Sequence, residues 1–137
     1  MRTTTLRRAV LGMIAMLAIV SLVGACGSAS SQSGSSPQEV QITLSEFKIA
    51  SPQTTFTTGT PYRFVIKNAG STAHNWAIMP RGSSDLSQAL VMVNESELPA
   101  GASVTRDFTF SQTGDFEFAC HVPGHYEAGM LLPITVQ

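Results

Sequence analysis

Three histidines occur in the 137-residue chain, His74, His121 and His125, and two of them lie within five residues of Cys120. The segment reads Cys120-His121-Val122-Pro123-Gly124-His125-Tyr126-Glu127-Ala128-Gly129-Met130. A thiol, an imidazole and a thioether thus leave one short loop at five-residue intervals. With a second imidazole from His74, these side chains make up the donor set of a type 1, or blue, copper electron-transfer site: two His, one Cys and a weak axial Met. The thiolate shares charge with the metal, the imidazoles suit both copper oxidation states, and the thioether favours Cu(I).

Each residue also has a plainer reading. A lone His74 is an ordinary core or loop histidine, and a lone Met130 is core filler. Only the Cys120–His125–Met130 spacing makes them candidate ligands. Met79 and Met92 are rival thioethers without such spacing and read as core. His121 follows Cys120 directly, so in an extended chain it points the other way. It reads as a loop or surface residue, because too few other histidines remain to build a second metal centre. Cys120 as a nucleophile activated by His121 or His125 leaves His74 and Met130 unexplained.

The elements that must position these residues are strands. Val40, Ile42 and Leu44 alternate with polar residues, and the phase slips before Phe47 and Ile49, as at a bulge. Thr54 to Thr58 reads as a short edge strand. Tyr62, Phe64 and Ile66 share a face, as do His74, Trp76 and Ile78. Val104, Phe108 and Phe110 share another, interrupted by Arg106. Cys120 continues the face of Phe116 and Phe118, and Met130 that of Leu132, Ile134 and Val136. Parity therefore turns His74, Cys120 and Met130 inward. Turn signals separate the runs at Thr58-Gly59-Thr60-Pro61, Asn68-Ala69-Gly70-Ser71, Leu98-Pro99-Ala100-Gly101 and Thr113-Gly114-Asp115. The expected fold is all-β, a Greek-key sandwich or barrel of about seven to eight strands. Residues 81–97 are the exception, either an irregular insertion or one short helix over Asp85 to Met92, capped by Ser84 or Asp85.

On these motifs the chain resembles the cupredoxins, the plastocyanin and azurin group. The resemblance spans essentially the whole domain. It rests on Leu98-Pro99-Ala100-Gly101, on Thr113 through Cys120, on Pro123-Gly124-His125 and Gly129-Met130, and on the upstream pair His74-Asn75. The Cys–His and His–Met intervals look most like those of auracyanin and rusticyanin. The resemblance implies one type 1 copper ion held by His74, Cys120, His125 and Met130. It implies that Asn75 braces the two ligand segments by a side-chain hydrogen bond. It also implies that electrons pass near His125, within a rim of Pro123, Gly124, Tyr126, Ala128 and Leu131.

The flanking sequence sets the expected location. Arg2, Arg7 and Arg8 precede an apolar run from Ala9 to Val23, too short for a confident membrane span. Leu22-Val23-Gly24-Ala25-Cys26 resembles a bacterial lipoprotein cleavage site. The expected boundaries are a signal peptide over 1–25, a lipidated Cys26 with a Ser/Gly-rich linker over 26–38, and the cupredoxin domain over 39–137. Such a linker reaches roughly 20 Å as a flexible coil. Without the three arginines of the leader, five basic residues face nine acidic ones, which argues against nucleic acid as a partner. With Cys26 lipidated, Cys120 is the lone thiol of an oxidising compartment. The expected protein is a monomeric, lipid-anchored, extracytoplasmic electron carrier docking redox proteins near His125, and not an enzyme. The alternative is a binding protein of envelope copper trafficking or storage.

Overall fold

Alternating hydrophobicity becomes alternating burial along the first strand. The computed structural model describes residues 35–137. The leader over 1–25 and the lipidation site Cys26 lie outside the described residues. Strand β1 (Gln38–Ser45) buries Val40, Ile42 and Leu44 and exposes the residues between them. The chain turns at Glu46 and Phe47 into β2 (Lys48–Ala50), antiparallel to β1 with Ser45 opposite Lys48. The phase slip is therefore a two-residue hairpin turn and not a bulge. Phe47 takes a left-handed φ of 56° there, a conformation that costs a non-glycine residue about 1 kcal/mol.

The remaining strands are β3 (Thr55–Phe56), β4 (Pro61–Asn68), β5 (Trp76–Pro80), β6 (Val91–Val93), β7 (Ser103–Thr109), β8 (Gly114–Ala119) and β9 (Leu131–Val136). One sheet has the order β2-β1-β4-β7 and the other β3-β9-β8-β5-β6. The pairs β1–β4 and β3–β9 are parallel, and the other pairs are antiparallel. The all-β sandwich expected from the sequence is borne out, with nine strands among the described residues once the shortest are counted. Among the described residues no helix is long and apolar enough to cross a membrane.

The core between the sheets is aromatic. Phe56 meets Tyr62, Phe64, Phe110 and Phe118 at centroid distances of 5.0 to 5.8 Å. Trp76 packs on Phe64 and Phe118 at 5.4 and 5.2 Å. Such offset and edge contacts add to the area the rings remove from water. Cys120 and Met130 belong to this same buried cluster.

The insertion is irregular and holds no α-helix among the described residues. Besides a 3-10 turn at Glu95–Glu97, only Leu86–Gln88 is helical, one 3-10 turn capped by Asp85, whose side chain accepts from Ser87 N–H. The chain then becomes β6, pairing Val91 with Ile78 and Val93 with Trp76. An edge strand competes better than a helix here, because β5 has an open flank and Val91 and Val93 are β-branched. Ala89 and Met92 cover Ala77, Met79 and Ala119 on the outer face of the sheet. Strand β8 is consequently buried on both faces from Phe116 to Ala119, including Glu117. Arg106, which breaks the apolar pattern of β7, is half-buried and paired with Glu97.

Candidate metal centre

Strand order explains why distant residues converge. β8 is central, between β9 and β5. Ala119 lies opposite Ala77 on one side and Leu131 on the other. One step beyond these pairs are Cys120 and, on the far side, Met130, whose carbonyl accepts from Cys120 N–H at 3.0 Å. On the other flank, Asn75 Oδ1 accepts the N–H of His121 at 2.7 Å. Thus His74, Cys120 and Met130 leave neighbouring strands at one end of one sheet.

His125 returns to that end through a loop bonded to itself. Its N–H donates to Val122 O at 2.9 Å, and its carbonyl accepts from Met130 N–H at 3.0 Å. Ala128 N–H reaches Gly124 O and Gly129 N–H reaches Tyr126 O, at 3.1 and 2.9 Å. Gly124 and Gly129 take φ of 85° and 92°, the left-handed region where glycine is unstrained.

The segment before His74 is held by other parts of the chain. Asn68 is fully buried, and its Nδ2 donates to Thr72 O at 2.7 Å and Leu98 O at 2.9 Å. Its Oδ1 accepts from Gly70 N–H at 2.9 Å. His74 N–H in turn donates to Leu98 O at 3.1 Å. In the sequence Asn68 stands out only as part of a turn signal. The clue to its larger role was an Asn at the inward parity of Tyr62, Phe64 and Ile66.

The donor atoms form a small triangle. Nδ1 of His74 and Nδ1 of His125 are 3.2 Å apart, and Cys120 Sγ lies 3.9 Å from the first and 3.6 Å from the second. Metal bonds of about 2.0 Å to nitrogen and 2.3 Å to sulfur, at angles between tetrahedral and trigonal, predict N–N near 3.4 Å and N–S near 3.7 Å. The triangle has the size of one metal's coordination shell. His74 and Cys120 are buried, and His125 is half-buried. Met130 is fully buried directly after this loop.

Burial sets the charge state of two donors in the absence of metal. Burial pushes the His74 imidazole below its usual range, and the neighbouring His125 adds to this. Burial pushes the Cys120 thiol up, although backbone N–H groups of Val122 and Asn75 act on the sulfur in the opposite sense. The site thus offers, at His74, an imidazole that burial keeps neutral, and a thiol already supplied with N–H donors for its anionic form. A metal ion supplies the missing charge and displaces the proton. The same burial and raised pKa make Cys120 a poor nucleophile. A thiolate with two imidazoles suits copper, and a buried thioether at the end of the loop adds a soft donor type.

Two aromatic residues frame the centre. Phe47 is 51% exposed, yet its ring stands edge-to-face on His125 at 5.3 Å and 74°. His121 stacks on Tyr126 at 4.6 Å and 14°. Tyr126 donates its hydroxyl to the buried Glu117 at 2.7 Å, which with burial pushes its phenol up to about 12. His121 is therefore a packed loop residue turned away from the donor triangle. Leu131 and Tyr126 each pack against the cluster of Ala77, Met79 and Ala119 on the outer sheet face.

Residues 14–132 match the family model described as a cupredoxin-like domain. The chain is 31% identical over 108 residues to the copper-resistant cuproprotein CopI of Rubrivivax gelatinosus, covering 72% of this chain and 66% of that relative's length. Among solved structures, dithionite-reduced auracyanin from Roseiflexus castenholzii is 25% identical with a TM-score of 0.59, over 76% of this chain and 99% of that one. Rusticyanin from Thiobacillus ferrooxidans shares the fold at 15% identity and a TM-score of 0.58, over 74% of this chain and 79% of that one. With its sandwich, its donor triangle and a family match over most of its length, this chain belongs to the cupredoxin-like family.

Proposed function

We propose that the domain is a one-electron carrier with a single type 1 copper site, its ligands being His74, Cys120, His125 and Met130. The observation that carries this reading is the triangle of two Nδ1 atoms and one Sγ, with edges of 3.2, 3.6 and 3.9 Å. When bound, copper supplies a one-electron couple between Cu(I) and Cu(II). The protein's part is to keep the donor positions alike in both oxidation states. Cys120 and Met130 are joined across β8 and β9, Asn75 ties the His74 segment to His121, and the core behind them is close-packed. A frame of this kind limits rearrangement as an electron arrives.

His125 is the half-buried donor, so exchange with redox proteins is assigned to its side of the loop, where Pro123, Gly124 and Ala128 are exposed. A charge at Ala128 should slow exchange with a docking partner and leave the copper spectrum unchanged. An unaltered exchange rate would count against that route. The leader and Cys26 support a lipid anchor at the outer face of the cytoplasmic membrane or in the periplasm, with no catalytic role for the chain.

The decisive experiment is titration of the purified protein with Cu(II), followed by visible and paramagnetic resonance spectroscopy. An intense sulfur-to-copper band should appear, vanish in Cys120→Ser, and persist in Met130→Leu with a raised potential. A colourless wild type would refute the proposal. Copper handling is the second reading, favoured by the likeness to a protein named for copper resistance. A carrier retains its copper through repeated redox cycles, whereas a trafficking protein releases Cu(I) to an acceptor.

A further inference from the structure

His74 presents Nδ1 to the donor triangle, so its other ring nitrogen, Nε2, faces away from it. That nitrogen is buried and has no hydrogen-bond partner among the described residues. A histidine bound to metal through one nitrogen carries its proton on the other, and that N–H ordinarily has an acceptor that sets the ring's orientation and basicity.

The space beside Nε2 is defined by Gly70. A Cβ built on Gly70 would lie 3.0 Å from His74 Nε2 and 2.8 Å from Glu46 Oε1. Gly70 does not have a positive φ, so backbone conformation does not require glycine there. The missing side chain instead leaves a small gap that both the imidazole nitrogen and the carboxylate oxygen border. The carboxylate is fixed in place: Oε1 accepts from Ser71 N–H and, at 2.8 Å, from Ser71 Oγ. Those bonds hold Glu46 at about 2, well below the usual carboxylate range, so it stays ionised.

We propose that Glu46 is the positioning residue for His74, its carboxylate acting as counter-charge to the Nε2–H across the gap that Gly70 keeps open. The inference rests on the copper reading above. It assigns the β1–β2 turn, which belongs to the opposite sheet, a part in the metal centre. The link is made directly or through one bridging water, and a negative charge there favours Cu(II) over Cu(I). Ser71 aims the carboxylate.

The test uses the full chain and three variants, Glu46→Gln, Ser71→Ala and Gly70→Ala. Glutamine can still accept from Ser71, so Glu46→Gln removes charge while keeping the turn. It should lower Cu(II) affinity about tenfold, lower Cu(I) affinity less, and so raise the midpoint potential, with apoprotein melting little changed. Ser71→Ala should shift affinity and potential in the same direction but less. Gly70→Ala should alter the Cu(II) resonance spectrum, because its methyl would occupy the gap. Equal Cu(II) affinity and potential in wild type and Glu46→Gln would overturn the role of Glu46 and leave the copper assignment standing. If Glu46→Gln fails to fold, Ser71→Ala decides by the same measurements. A wild type that forms no blue site overturns both.

Discussion

The segments Asn68–Asn75 and Cys120–Met130 deliver donors to the same point, but they are held differently. The second is bonded largely within itself, from Val122 to His125, Gly124 to Ala128, Tyr126 to Gly129 and His125 to Met130. The first depends on residues far away in sequence: Leu98 receives both Asn68 Nδ2 and His74 N–H, and Glu46 receives Ser71. Local bonds give a loop a shape that tolerates change elsewhere. Long-range bonds make His74 sensitive to the whole sandwich. The lone upstream histidine is therefore the donor whose position costs the fold most to define.

The largest expected effect falls on the long-range side. Asn68→Leu removes three hydrogen bonds, one of them fully buried, and takes a partner from Thr72 O, Leu98 O and Gly70 N–H. It should destabilise the metal-free protein by about 3 kcal/mol, read from its denaturant midpoint, and loosen His74 before the Cys120 loop. Equal loosening of both segments, seen in amide exchange, would contradict the contrast.

Asn75→Ala cuts the tie between the two segments, the 2.7 Å bond to His121 N–H. It should cost about 1 kcal/mol and leave a blue site with altered resonance parameters. An unchanged spectrum would mean that the segments hold their relative position without this bond. On the self-bonded side, Gly124→Ala meets nothing within 4 Å but must keep a φ of 85°. Only backbone strain opposes it, about 1 kcal/mol, and copper affinity should fall less than in Asn68→Leu. A larger loss than in Asn68→Leu would invert the ranking of the two arms.

Phe47 sharpens the same contrast from outside. It is exposed, left-handed and set against His125. Phe47→Gly should relieve the backbone strain, leaving the metal-free protein at least as stable. It should also remove the ring that borders His125 and hasten copper loss to a chelator. Slower or unchanged loss would show that the ring does not hold His125.

Much of the centre was legible in the residues alone. Cys120, His125 and Met130 share one loop, so their spacing is chemistry written locally, and strand alternation shows which way Cys120 and Met130 face. The aromatic core was legible for the same reason, since period-two burial depends only on neighbours along the chain. In the sequence the insertion stays open between a helix and an irregular segment, because Asp85 to Met92 satisfies a helix pattern by itself, while the open flank of β5 exists only after the sheet has formed. The hairpin turn at Glu46–Phe47 registered only as a slip of phase. The gap at Gly70, the hub at Asn68 and the approach of His74 to Cys120 arise between segments far apart in sequence. Residue types and intervals determine which donors the chain can offer. Whether those donors meet within one coordination shell depends on strand order and register, which are settled only when the two sheets pack.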